Sequence, residues 1–90
     1  MKQMKECLDR FYDGKPPLQS KKWKAFSFEN RFLFLMHYHH LVLIYDYHCR
    51  KVLHAWAERP ADKRGLNSAL QYIMVTHENR VPTGFERLTP

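Results

Sequence analysis

The sequence predicts a small α+β domain: a three-stranded antiparallel meander with an N-terminal and a C-terminal helix. Three observations carry that expectation. Residues 31–58 contain no Gly, Pro or Asn and hold most of the large apolar and aromatic side chains. Within them Phe, Tyr, Val, Ile and His dominate, while Ala, Glu and Gln are absent before residue 55, which is strand composition. On either side, residues 2–12 and 62–76 place apolar side chains at helical spacing.

The first helix is expected over 2–12, where Met4, Cys7, Leu8, Phe11 and Tyr12 share a face with Lys5, Glu6, Asp9 and Arg10 between them. Asp13-Gly14 ends it and Pro16-Pro17 prevents its resumption. Residues 13–24 then form a polar, basic connecting loop. Strands follow at roughly 26–37, 40–47 and 51–58. Five-residue apolar runs at 32–36 and 41–45 suit strands buried on both faces, and the polar break 46–51 suits a reversal. The first turn falls at His39-His40, without Asn-Gly chemistry to fix its register. A long helix is the competing reading, because Leu35, Tyr38, Val42, Tyr45, Cys49, Val52 and Trp56 step by threes and fours. The second helix is expected at 62–76, capped by Asp62 and weakened by Gly65, with Leu66, Ala69, Leu70, Ile73 and Met74 on one face. The tail, 77–90, contains Pro82, Gly84 and Pro90 and is expected to be irregular, with Val81, Phe85 and Leu88 available for docking. This α-β-β-β-α order is similar to that of double-stranded-RNA-binding domains in topology. Lys63 and Arg64 partly match the basic cluster that opens the second helix of those domains.

Ninety residues make one domain, 1–90. A 44% hydrophobic and 27% charged composition is that of a globular chain rather than a disordered one. No apolar run approaches the roughly 20 residues of a membrane span, and residues 1–6 lead into no apolar signal segment. A cytoplasmic protein is expected, with Cys7 and Cys49 both free and buried. The net charge is +6. Seven basic residues (Lys2, Lys5, Arg10, Lys15, Lys21, Lys22, Lys24) against Glu6, Asp9 and Asp13 put +4 of it in residues 1–25.

Lys21-Lys22-Trp23-Lys24 is the leading candidate site. Lysines neutralise phosphates and an exposed indole stacks on a base; a solvated loop with Trp23 in the core is the structural alternative. Lys63 and Arg64 open the second helix, where cations are electrostatically disfavoured, so their presence there suits an anionic partner. The six histidines, with His37 and His39 on one side of a strand and Cys49 or His54 nearby, lack metal-site spacing, so no metal and no cofactor is expected. His48, Arg50, Lys51 and His54 offer acid–base groups for RNA cleavage, and Asp46, Glu58 and Asp62 offer carboxylates for a metal nuclease, but neither set has diagnostic spacing.

The resulting expectation is a small basic nucleic-acid-binding protein, regulatory or from a mobile element, rather than an enzyme. A dimeric interaction module or inhibitor working through an apolar sheet face is the alternative. A metal-independent ribonuclease ranks third. A homodimer through the sheet is expected on separate grounds. Phe32, Phe34 and Met36 oppose Leu33 and Leu35, and Leu41, Leu43 and Tyr45 oppose Val42 and Ile44, so both faces are apolar.

Overall fold

Residues 1–85 are described by a computed structural model, in the order helix, four antiparallel strands, helix. Helix α1, Lys2–Tyr12, buries Met4, Leu8, Phe11 and Tyr12, one face at steps of four, three and one. It stops in a Schellman turn. Lys15 N donates to Arg10 O and Gly14 N to Phe11 O, with Gly14 at φ +75°.

The sheet is a meander of β1 (Trp23–Phe28), β2 (Phe32–His37), β3 (His40–Asp46) and β4 (Lys51–Ala55), paired in chain order. The competing long helix is thereby excluded. The single strand expected at 26–37 is in fact two, so the order is α-β-β-β-β-α and departs from the topology of double-stranded-RNA-binding domains. The cause is Glu29-Asn30. Both residues take positive φ, 54° and 50°, and Arg31 N donates back to Phe28 O at 3.1 Å. That is a two-residue hairpin turn of the primed type. Asn tolerates this conformation and Glu rarely adopts it, so the pair lacks the Asn-Gly signal. The turn between β2 and β3 is Tyr38-His39, one residue earlier than expected, with Tyr38 at φ +54°.

A bulge explains the apolar doublet of β3. Leu35 pairs with Leu43 but Met36 pairs with Leu41, leaving Val42 as the extra residue, and Val42 and Leu43 are both fully buried. Leu41 therefore does not share a face with Leu43 and Tyr45. A second irregularity, at Ile44/Tyr45 against His54/Val52, leaves Leu53 exposed on the edge strand.

Helix α2, Pro60–Gln71, starts with Arg59 as N-cap; Asp62 sits inside its first turn, not at the cap, and accepts from Arg59 N at 2.9 Å. The helix then widens into a π-helical turn, Tyr72–Thr76. That turn shifts the helical register, which buries Ile73 and leaves Met74, expected on the apolar face, exposed. Helix α1 packs on β1, α2 on β3, and the helices pack on each other. The core thus lies between both helices and one sheet face: Trp23, Ala25, Leu33, Leu35, Leu43 and Tyr45 from the sheet, Met4, Leu8 and Ala69 from the helices. The tail closes one end. Thr83 N and Oγ1 both donate to Tyr12 O, and Phe85 packs edge-on against Phe11 and Tyr47. Val81 is half-buried against the core, and Leu88 lies outside the described residues.

Cys7 is half-buried against the core, and burial pushes its thiol up to about 11. Cys49 is exposed, contrary to expectation, because the β3–β4 turn carries it outward, where its Sγ donates to Asp46 Oδ2 at 3.2 Å. In native protein a thiol reagent is therefore expected to modify Cys49 first and Cys7 only slowly; peptide mapping of a labelling time course checks the order. Among the described residues, no helix is long and apolar enough to cross a membrane.

Candidate nucleic-acid interface

Trp23 opens β1 opposite His37, the last residue of β2. The two rings stack at 4.1 Å between centroids and 9° between planes. On its other side the indole lies against α2 at Gly65, where a Cβ would fall 2.0 Å from Trp23 Cζ2. The glycine expected only to weaken the helix is the slot that admits the indole. Trp23 is 4% exposed, so the base-stacking role expected of it is ruled out and the core reading holds. His37 is fixed from a third direction by Asp62, whose Oδ1 lies 2.6 Å from His37 Nδ1. The hydrogen bond from His37, then that from Arg59 N, holds the Asp62 carboxyl below its usual range. An ionised Asp62 accepts, so His37 Nδ1 carries the donated proton.

This buried cluster anchors one end of the sheet and brings distant cations to its rim. Lys21, Lys22 and Lys24 border a shallow depression with Tyr38 and His39. Lys22, Tyr38 and His39 also border a wider cleft that continues past His40 and Trp56 to Arg59 and Arg64 at the start of α2. Tyr38 N donates to Lys22 O at 3.0 Å, which locks the basic loop to the hairpin tip. Tyr38 is 57% exposed at its positive φ, an uncommon backbone state for a bulky residue. His40 stacks on Trp56 at 4.8 Å and 20°, lining the cleft wall with rings.

Of the residues singled out from sequence, Lys21, Lys22 and Lys24 gather with Tyr38, and Lys22 joins Arg64 across the cleft. Lys63 is exposed but does not line that cleft. Among the described residues, the side chains of Lys21, Lys22, Lys24, Arg59 and Arg64 are not ion-paired with any carboxylate. Glu58 is the acidic group in the cleft besides Asp62, which His37 already engages. Tyr38, His40, Trp56 and Arg59 were not signalled by the sequence. Placing the turn at Tyr38-His39 would have exposed Tyr38 to view; nothing local marks Trp56.

The other candidate groups do not converge. Arg50 is turned to Glu78 O and His54 Nε2 to Leu41 O, so neither faces a shared site with His48 or Lys51. Asp46 is engaged by Arg31 in a two-point pair at 3.0 and 2.8 Å, far along the sheet from Asp62. Among the described residues, no three His, Cys, Asp or Glu side chains are grouped to hold a metal.

The paired carboxylates set an acid limit. Arg31 foremost, with Cys49 and His48 N, holds Asp46 well below the usual carboxylate range. Lys5 foremost, then the Tyr72 hydroxyl, lowers Asp9. Folded values below the unfolded ~3.9 contribute stability above that pH, and this is lost as pH falls through the depressed values. Urea midpoints are therefore expected to drop below about pH 4. The deficit of Asp46→Asn against wild type is expected to shrink over the same window; a pH-independent deficit would remove Asp46 from this account.

No protein-family model, curated protein or solved structure matches this chain.

Proposed function

We propose that this protein is a nucleic-acid binder acting in the cytoplasm, a small regulatory protein that engages its ligand at the rim where β1 begins and β2 turns into β3. One observation supports this above the others. Cations from two distant stretches, Lys21, Lys22 and Lys24 around the start of β1 and Arg59 and Arg64 at α2, meet around an exposed Tyr38. Lysine and arginine neutralise phosphates, and the Tyr38 ring takes the base-stacking part that Trp23 is too buried to play. The reading is of a binder rather than a nuclease, because Arg50 and His54, two of the groups considered for cleavage, point to separate partners. A second reading, a protein-interaction module, is favoured by a different surface: the sheet face opposite the helices, where Phe26 and Phe28 are 43% and 52% exposed.

Fluorescence anisotropy with single-stranded and duplex DNA and RNA, at low and physiological salt, tests the first reading. Affinity is expected to fall steeply with salt. Lys22→Ala and Arg64→Ala should each reduce the slope of log K against log salt by about 0.7–0.9. Tyr38→Ala should weaken single-strand binding by about 1–3 kcal/mol, and Tyr38→Phe should restore it. Absence of binding at low salt, or a Lys22→Ala/Arg64→Ala protein that binds like wild type, would refute it.

A further inference from the structure

We infer that the uncovered face of the sheet is the contact between two copies of this chain. It goes beyond nucleic-acid binding and uses a surface that meets the proposed nucleic-acid rim only at Lys24. Both helices lie on the other side, and the open face presents Phe26 and Phe28 from β1, Phe32, Phe34 and Met36 from β2, and Leu41 and Ile44 from β3. The Phe28 ring packs beside those of Phe32 and Phe34, 6.2 and 5.7 Å between centroids, which joins the aromatic part of the patch. The three strands that supply it, about 4.8 Å apart and about 20 Å long, give a footprint of about 300 Å². That is the size of patch that soluble monomers reserve for contacts, about 300–600 Å². It is smaller than a standard specific interface, which buries about 800 Å² per partner.

The charges select a second copy over other occupants. The centre of the face carries no formal charge, which disfavours a phosphate backbone. Lys24 stands at one end of β1, opposite Met36, and Glu29 at the other, in the β1–β2 turn. Five residue steps separate them by about 17 Å. A two-fold axis through the middle of the face, near the Phe26–Phe34 pair, places Lys24 of each copy over Glu29 of the other. Arg31, beside Glu29, is already neutralised by Asp46 and its guanidinium lies over Phe32 at 4.8 Å, so it does not oppose that pairing. The contact is thus self-complementary in charge as well as apolar, and the modest area makes it concentration-dependent.

Sedimentation equilibrium from low micromolar to near-millimolar protein tests this. Wild type is expected to pass from 10.9 kDa to twice that mass. Phe28→Lys, at an exposed position that leaves the core intact, should weaken association at least about 100-fold by setting two cations in an apolar contact. Lys24→Glu and Glu29→Lys should each weaken it about 3- to 10-fold, and the double exchange should restore it. Wild type sedimenting at 10.9 kDa throughout would overturn the proposal, as would dimerisation that Phe28→Lys leaves untouched. If the chain stays monomeric and Phe28→Ala weakens oligonucleotide binding, the face is a base-stacking platform and the inference is wrong.

Discussion

Trp23→Ala is expected to destabilise the fold by about 3–5 kcal/mol, as truncations of large buried aromatics do. The residue is 4% exposed and sits where β1, the end of β2 and the first turns of α2 meet. Removing the indole empties the slot at Gly65 and takes away the ring that covers His37. A domain of this size has about 5–13 kcal/mol in total, so the variant should show a markedly lower urea midpoint. Neither end of the cavity collapses easily, because one wall is a helix backbone and the other an imidazole tied to Asp62. Nucleic-acid affinity per folded molecule is expected to change far less than stability. A fully stable Trp23→Ala protein that loses binding would reverse the assignment of this residue from core to ligand.

Gly65→Ala is expected to destabilise by about 1–3 kcal/mol or more, although propensity alone argues the opposite. An alanine inside a helix gains about 1 kcal/mol over glycine. Here the added methyl would lie 2.0 Å from Trp23 Cζ2 and 2.2 Å from Cη2. The indole has no retreat, since its other face is stacked on His37 at 4.1 Å. Steric overlap in a packed core therefore outweighs the helical gain. The two positions should also couple. Trp23→Phe shortens the ring, so Gly65→Ala should cost less in that background, a non-additivity that a double-mutant cycle in urea denaturation measures directly. Additive effects would mean that the ring and the glycine do not share the space described.

Much of this architecture is legible in local pattern. Met4, Leu8 and Phe11 mark α1 to its last residue, and the strand-forming composition of 31–58 outranks a helical periodicity that seven residues satisfy. The failures have one kind of cause, contacts that no local window contains. Glu29-Asn30 hides a hairpin because Glu at positive φ is tolerated only under the pairing of β1 with β2. Three flanking lysines make Trp23 look like a surface residue, and the slot that buries it is a glycine on the last long helix. Val42 breaks the alternation of β3 through a bulge, so the two faces of that strand cannot be sorted by counting in twos. The basic residues of the candidate site were readable one by one, whereas their meeting around Tyr38 depends on the turn and on where α2 begins.

Backbone chemical-shift mapping with a short single-stranded oligonucleotide tests the central assignment most directly. The assignment separates a buried Trp23 that holds the rim together from exposed groups that bind. Perturbations are expected at Lys22, Tyr38, His39, His40, Arg59 and Arg64, shrinking with added salt, with the Trp23 indole resonance little changed. Shifts concentrated on Phe26, Phe28 and Phe34 with the rim silent, or no saturable shift at low salt, would contradict it.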